Sequence, residues 1–123
     1  MNDKRITERT TDFGEKYYYT KHKSGLEIYV MPKDFATSFA MFSTKYGAID
    51  NCFKLEGEAE FHKVPDGIAH YLEHKMFENE DGVDTFSRFA KYGANANAFT
   101  SGTMTSYLFS CTEHLRENLE ILL

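Results

Sequence analysis

The spacing of hydrophobic and polar positions divides the first half of the chain. Residues 1–24 are a polar lead-in for which no element is predicted. Two segments, 26–33 and 37–50, are rich in β-forming residues and predict strands that could pair through the turn between them. Residues 51–64 are polar and irregular, which predicts a surface loop.

The second half of the chain begins with helical spacing. Residues 66–78 predict a helix, with Pro65 at its N-terminus. A shorter helix follows and ends at Gly93, which suits a C-terminal cap. The stretches "ANANAFT" and "TMTSYLFSCT" predict a hairpin, and a final helix is predicted to begin with Thr112 as its N-cap. This order of elements predicts an α+β fold, in which an antiparallel-rich sheet packs against helices.

Composition and charge exclude several classes of protein. The chain has 123 residues, 41% of them hydrophobic, which is enough for one domain with a core. The net charge is −5 without a dense Lys/Arg cluster, so no nucleic-acid partner is expected. The polar start and the lack of a long apolar run predict a cytoplasmic protein with no membrane partner. Cys52 and Cys111 are interpreted as reduced thiols, although the sequence leaves a disulfide between them open.

The predicted helix over residues 66–78, "DGIAHYLEHKMFE", has two different faces. At about 100° per residue, one face is apolar and is predicted to face the core; it carries Ile68, Ala69, Leu72 and Met76. The opposite face carries His70, Glu73, His74 and Phe77. The two histidines are therefore expected one helical turn apart on one side of the helix.

Two imidazoles one turn apart can bind a single zinc ion. Glu73 lies beside His70 and His74 and is placed to take a proton from a zinc-activated water and pass it to a leaving amine. This arrangement, HxxEH, is the reverse order of the HExxH motif. Exposed helical histidines without a metal are also common, and a structural zinc site is a further alternative, although it would need four ligands.

Catalytic zinc usually has three protein ligands and one open position. Glu78 lies one turn beyond His74, but three ligands along one helix cannot surround an ion. His62 and His114 are possible, although nothing in their sequence context favours them. Because the chain stops in the apolar "ILL" of a predicted helix, we expect a fragment whose third zinc ligand lies after Leu123.

The segment "PDGIAHYLEHKMFE" closely resembles the zinc helix of the insulinase/pitrilysin-type metallopeptidases, the inverzincins, with their G-[IL]-A-H-[FY]-L-E-H core. "KYGAID" and "GANANAFTSGTMTSYLFS" resemble further segments of that family, in the same order. The resemblance covers roughly residues 25–120. Lys75 and the "FE" that follows resemble a bacterial branch of the family.

The resemblance implies a zinc-dependent metalloendopeptidase that hydrolyses peptide bonds with a metal-activated water. His70 and His74 would bind Zn²⁺, Glu73 would be the general base, and Asn97 and Ala98 would hold the substrate backbone. Residues 25–123 would be the N-terminal portion of a zinc-bearing domain like that of mitochondrial processing peptidase. This portion alone would lack the third ligand, a Glu on a later helix, and is expected to be inactive.

The resemblance also implies partners, namely a peptide or unfolded polypeptide substrate and a homologous domain or subunit, as in a dimer. The small residues Ala94, Ala96 and Ala98 would let a peptide approach the backbone and add as a strand. An ordinary interior strand with small residues is the alternative for that segment. The alternative for the whole protein is a non-catalytic peptide-binding or partner subunit of a processing peptidase.

Overall fold

The computed structural model describes residues 6–123, which divide into two compact units, one up to Phe35 and the other from Ala36 to Leu123. The elements in chain order are β1 (Thr7–Thr10), β2 (Lys16–Lys21), β3 (Glu27–Val30), β4 (Ser38–Thr44), β5 (Cys52–Phe53), β6 (His62–Lys63), α1 (Ile68–Lys75), α2 (Thr85–Lys91), β7 (Asn95–Thr100), β8 (Thr105–Cys111) and α3 (Leu115–Leu122).

The first unit is an antiparallel sheet in the order β1-β2-β3. Tyr19 packs against Tyr29 with ring centroids 5.1 Å apart, and the Arg9 guanidinium lies 4.0 Å from the centre of the Tyr19 ring. The prediction of no element in residues 1–24 was wrong for residues 6–24, because aromatic side chains that pair across strands stabilise a sheet even among charged residues. Residues 1–5 of that segment lie outside the described residues. The boundary drawn after residue 24 falls inside the β2–β3 hairpin.

The second unit contains the main sheet, which is antiparallel in the order β4-β8-β7. The predicted β7–β8 hairpin is confirmed. The predicted pairing of β3 with β4 was wrong: β3 pairs with β2, and β4 pairs with β8. Local turn residues do not determine which distant strand completes a sheet, because that depends on side-chain packing across the strands. The predicted loop over residues 51–64 contains a short additional hairpin, β5–β6.

Helices α1, α2 and α3 all contact the main sheet, α1 and α2 through β7 and α3 through β8 and β4. The core comprises Phe89, Phe109 and Cys111, with Ala40 and Ala96 among the smaller residues packed against them. Small side chains on the sheet allow the helices to approach closely, and the aromatic rings fill the space between. This antiparallel sheet with packed helices confirms the predicted α+β fold.

Helix α1 buries only part of the face predicted from its hydrophobic residues. Ala69 and Glu73 are buried, whereas Leu72 is 43% exposed and Met76 is 65% exposed. Ala69 and Glu73 are four residues apart and therefore lie on one side of the helix, which faces β7 and β8. The prediction of the core face was right for Ala69 and wrong for Leu72 and Met76, because a small residue gives the close helix–strand contact and a neighbouring hydroxyl satisfies the buried carboxylate.

The ends of the helices follow the predictions in part. Gly93 adopts a left-handed φ of 67° at the end of α2, as predicted for a C-terminal cap. The prediction of Thr112 as an N-cap was wrong, since His114 precedes α3 with a φ of 56°. Cys52 and Cys111 are free thiols. Within residues 6–123, no helix has the length and apolar character needed to cross a membrane.

Candidate metal centre

Helix α1 presents its two histidines to solvent on the side that does not contact the sheet. His70 and His74 are one turn apart, and both are exposed. Their Nε2 atoms are 3.0 Å apart and their ring centroids 4.8 Å apart. The helix therefore directs one nitrogen of each imidazole toward the same point in space, as the sequence spacing predicts.

Glu73 lies between the sheet and the two imidazoles. Its side chain is buried, with 7% of the residue exposed. Thr100 Oγ1 donates a hydrogen bond of 2.5 Å to Glu73 Oε2. The potential ligand atoms of His70, Glu73 and His74 all lie within 4.8 Å of one another. The structure thus brings the predicted base and the two predicted ligands into one cluster.

The negative charge of Glu73 also affects the neighbouring strand β8. Burial raises the pKa of the Tyr107 phenol, and the Glu73 carboxylate raises the pKa of the same group further. Tyr107 also packs near Phe77, which stacks on Phe86 with ring centroids 4.1 Å apart. The Glu73 carboxylate therefore has the Thr100 hydroxyl as its hydrogen-bond partner and raises the pKa of the partly buried Tyr107.

The donor atoms of this cluster fit zinc. Two nitrogen ligands of a tetrahedral zinc, each with a Zn–N bond of about 2.0–2.1 Å, lie about 3.3 Å apart. The observed 3.0 Å between the two Nε2 atoms is close to that separation. Imidazole nitrogen is a preferred zinc ligand, and both rings are accessible from solvent.

The other candidate zinc ligands, His62, His114 and Glu78, lie outside this cluster. His62 Nε2 lies 2.6 Å from Glu58 Oε2, and His114 Nδ1 lies 3.5 Å from Glu117 Oε1. Glu78 accepts a hydrogen bond of 2.7 Å from Lys75. Among the residues that the structure describes, only His70, Glu73 and His74 form a group with the proximity needed for a metal ion.

Asn97 and Ala98 lie on β7, which is at one end of the strand order in the main sheet. Ala98 is half-buried, on the helix side of the sheet, and Asn97 is exposed on the opposite side. The Ala98 N–H donates a hydrogen bond of 2.8 Å to Asn97 Oδ1. The two residues are thus near the cluster through their shared strand, with the Asn97 side chain bound to the backbone beside it.

Thr100 is the residue of this site that the sequence analysis missed. It lies on the same side of β7 as Ala98, two residues further along. The alternation along "NANAFT" places Ala96, Ala98 and Thr100 on one face. A single hydroxyl at the end of a row of alanines is a signal that could have identified it.

Comparison with known proteins identifies relatives of the chain. The model of the insulinase family, peptidase family M16, matches residues 59–123. The uncharacterized zinc protease YmfH of Bacillus subtilis is 54% identical over 110 residues, which are 89% of this chain and 26% of that protein. An insulin-degrading enzyme homolog of Dictyostelium discoideum is 30% identical over 104 residues, 80% of this chain and 10% of that protein.

The same relationship holds for a solved structure. The crystal structure of an M16-like peptidase from Alicyclobacillus acidocaldarius matches this chain with a TM-score of 0.77 and 37% identity. The match covers 95% of this chain and 25% of the Alicyclobacillus chain. This chain therefore spans about a quarter of the length of these two bacterial relatives. The resemblance seen in the motifs is confirmed, and the chain belongs to the insulinase family of peptidases, peptidase family M16.

Proposed function

We propose that this chain carries part of the active site of a zinc-dependent metalloendopeptidase. The observation that supports this function best is the convergence of His70, Glu73 and His74 within 4.8 Å. Two exposed imidazoles supply ligands, and the buried carboxylate beside them supplies a base. The relative YmfH, which is named as a zinc protease, supports the same chemistry.

The residues of the site have separate roles in this proposal. His70 and His74 would hold the zinc through their imidazole nitrogens. Zinc, when bound, supplies the Lewis acidity that lowers the pKa of a water molecule. Glu73 removes a proton from the attacking water and later delivers it to the amine of the leaving peptide. Its carboxylate can do both because one oxygen is held by Thr100 while the other remains available.

The third ligand is proposed to lie beyond Leu123, on a later part of the zinc-bearing domain. Two observations support this: within residues 6–123 no further ligand joins His70, Glu73 and His74, and the bacterial relatives are more than three times as long as this chain. Residues 25–123 would then form the N-terminal portion of that domain, and a homologous domain or subunit would complete the protein. We propose the cytoplasm as its location.

The substrate is proposed to be a peptide or unfolded polypeptide that adds as a strand along β7. The end position of β7 in the strand order supports this, as do the small side chains of Ala96 and Ala98, which leave little bulk along the strand. Main-chain hydrogen bonds would give binding that tolerates many sequences. Asn97 and Ala98 would hold the substrate backbone, with the Ala98 N–H released from Asn97 Oδ1 when the substrate binds.

Replacing Asn97 with Ala is expected to raise the KM for a peptide substrate by about 3- to 10-fold, because one hydrogen-bonding group is lost. Asn95→Ala is the matched control, since Asn95 is exposed on the same face of the same strand. Steady-state kinetics of both variants would measure the difference. An unchanged KM in Asn97→Ala, or an equal effect of Asn95→Ala, would contradict the assigned role.

The experiment that tests the proposed function uses the full-length protein that carries this chain. We expect one zinc per chain, hydrolysis of an unfolded polypeptide, loss of hydrolysis after chelation, and recovery when zinc is returned. Zinc content would be measured by atomic absorption and cleavage by mass spectrometry. Peptide binding without cleavage in the zinc-loaded protein would instead establish the alternative, a non-catalytic peptide-binding or partner subunit.

A further inference from the structure

The hydroxyl of Thr100 and the carboxylate of Glu73 are 27 residues apart in sequence and in direct contact in space. Hydrogen bonds from a hydroxyl to a carboxylate are typically about 2.5–2.7 Å long and belong to the strong class. Thr100 Oγ1 donates a bond of this kind to Glu73 Oε2. The orientation of Glu73 is thus set by β7 as well as by α1.

A glutamate on a helix needs such a partner to hold one orientation, because its side chain has three rotatable bonds. Threonine is β-branched and stiff about its first side-chain bond, so it is a well-defined donor. By occupying Oε2, Thr100 leaves Oε1 as the oxygen free to exchange a proton. The carboxylate is thereby kept next to the two imidazoles, within the 4.8 Å cluster.

The strand end that carries Thr100 is itself fixed by the loop after β4. Thr100 pairs with Thr105 across the β7–β8 hairpin, and Thr105 Oγ1 donates a hydrogen bond of 2.8 Å to Tyr46 O. The Ala48 N–H donates a hydrogen bond of 2.9 Å to Ser101 O. These bonds hold the hairpin turn against the loop over residues 46–49.

Gly47 allows the closest approach between the loop and the hairpin turn. A Cβ atom at this position would lie 2.5 Å from Met104 N and 2.6 Å from the Gly102 carbonyl carbon, both of which are backbone atoms. Only a residue without a side chain fits there. The loop therefore packs directly on the turn, and the donor at Thr100 has little freedom to move.

We infer that Thr100 is a positioning residue that fixes the Glu73 carboxylate relative to β7. This inference rests on the proposed function, in which β7 binds the substrate and Glu73 is the base. The substrate strand and the catalytic base would then both be positioned by the same part of the structure, the end of β7. The hydroxyl acts through Glu73 and does not touch the substrate.

The test compares Thr100→Val, which removes the hydroxyl but keeps the shape, with Thr100→Ser, which keeps the hydroxyl. In the full-length protein, Thr100→Val is expected to lower kcat by about 10- to 100-fold, with KM and zinc content unchanged. Thr100→Ser is expected to recover most of kcat. Thr44→Val is the matched control, since Thr44 lies in the same sheet and pairs with Thr105 from the other side.

Either of two effects on kcat would overturn the inference. One is a Thr100→Val variant with an unchanged kcat. The other is a Thr100→Ser variant as slow as Thr100→Val, since the methyl group and not the hydroxyl would then matter. A fall in zinc content or a rise in KM of similar size would equally assign Thr100 to folding or binding.

A second readout does not depend on activity. Thermal unfolding of the zinc-free protein is measured for Thr100→Val, Glu73→Leu and the double variant. Thr100→Val should lower the unfolding midpoint by about 2–4 °C when Glu73 is present and leave it unchanged in the Glu73→Leu background. If the shifts in unfolding midpoint of the two single variants simply added in the double variant, the inference would be overturned. Absence of hydrolysis by the wild-type protein would overturn the proposed function, whatever the unfolding shows.

Discussion

Replacing Glu73 with Gln is expected to lower peptide hydrolysis by about 10²- to 10⁴-fold, which is the usual contribution of a general base. The amide has nearly the same shape and can still accept the Thr100 hydrogen bond, but it cannot take up a proton. Zinc content should stay the same, because His70 and His74 are unchanged. The measurement is initial-rate hydrolysis beside zinc content in the full-length protein.

The matched control for Glu73→Gln is Glu78→Gln. Glu78 is exposed, lies just after the same helix and pairs with Lys75. This variant should keep full activity, because its charge is solvated and outside the cluster. A Glu73→Gln variant that hydrolyses peptides at the wild-type rate would contradict the role of Glu73 as base. An equal loss of hydrolysis in Glu73→Gln and Glu78→Gln would instead assign the effect to the total negative charge of the two glutamates.

Replacing either His70 or His74 with Ala is expected to abolish stable zinc binding and, with it, hydrolysis. Each histidine supplies one of the few protein ligands. Its loss should weaken zinc binding by more than the roughly 10- to 100-fold that removal of an outer-shell partner costs. Competition with a chromophoric chelator would measure the affinity. Since both side chains are exposed, the fold should be retained, which circular dichroism would check.

His62 and His114 provide the controls for the two ligand variants. Both are exposed and pair with a nearby glutamate, Glu58 or Glu117, outside the cluster. His62→Ala and His114→Ala should bind zinc with the wild-type affinity. If His70→Ala or His74→Ala also retained that affinity, the metal would have to be bound elsewhere in the full-length protein.

The sequence predicted the helical face of the site because helix geometry is local. Residues three and four apart on a helix are always neighbours, so HxxEH alone brings His70 and His74 together. The same local geometry placed the β7–β8 hairpin and the left-handed Gly93 at the end of α2. These features depend on a few consecutive residues, and the structure agrees with all of them.

The parts that the sequence did not reveal depend on contacts between distant segments. Hydrophobicity suggested that Leu72 and Met76 face the core, yet α1 turns Ala69 and Glu73 to the sheet. The early strands were missed because the aromatic pairing of Tyr19 and Tyr29 is visible only once β2 and β3 are aligned. Burial depends on the surface that an element meets, and the element's own residues do not specify that surface.

For the candidate site, the sequence by itself determined the two imidazoles and the carboxylate beside them, because one helix carries all three. Only the tertiary structure decided how that carboxylate is held. Thr100 reaches Glu73 because β7 pairs with β8, α1 packs on β7, and the loop at Gly47 fixes the end of the hairpin. The spacing of residues along a helix fixes which side chains of that helix are neighbours, whereas the orientation of a buried side chain is set by the elements packed around it.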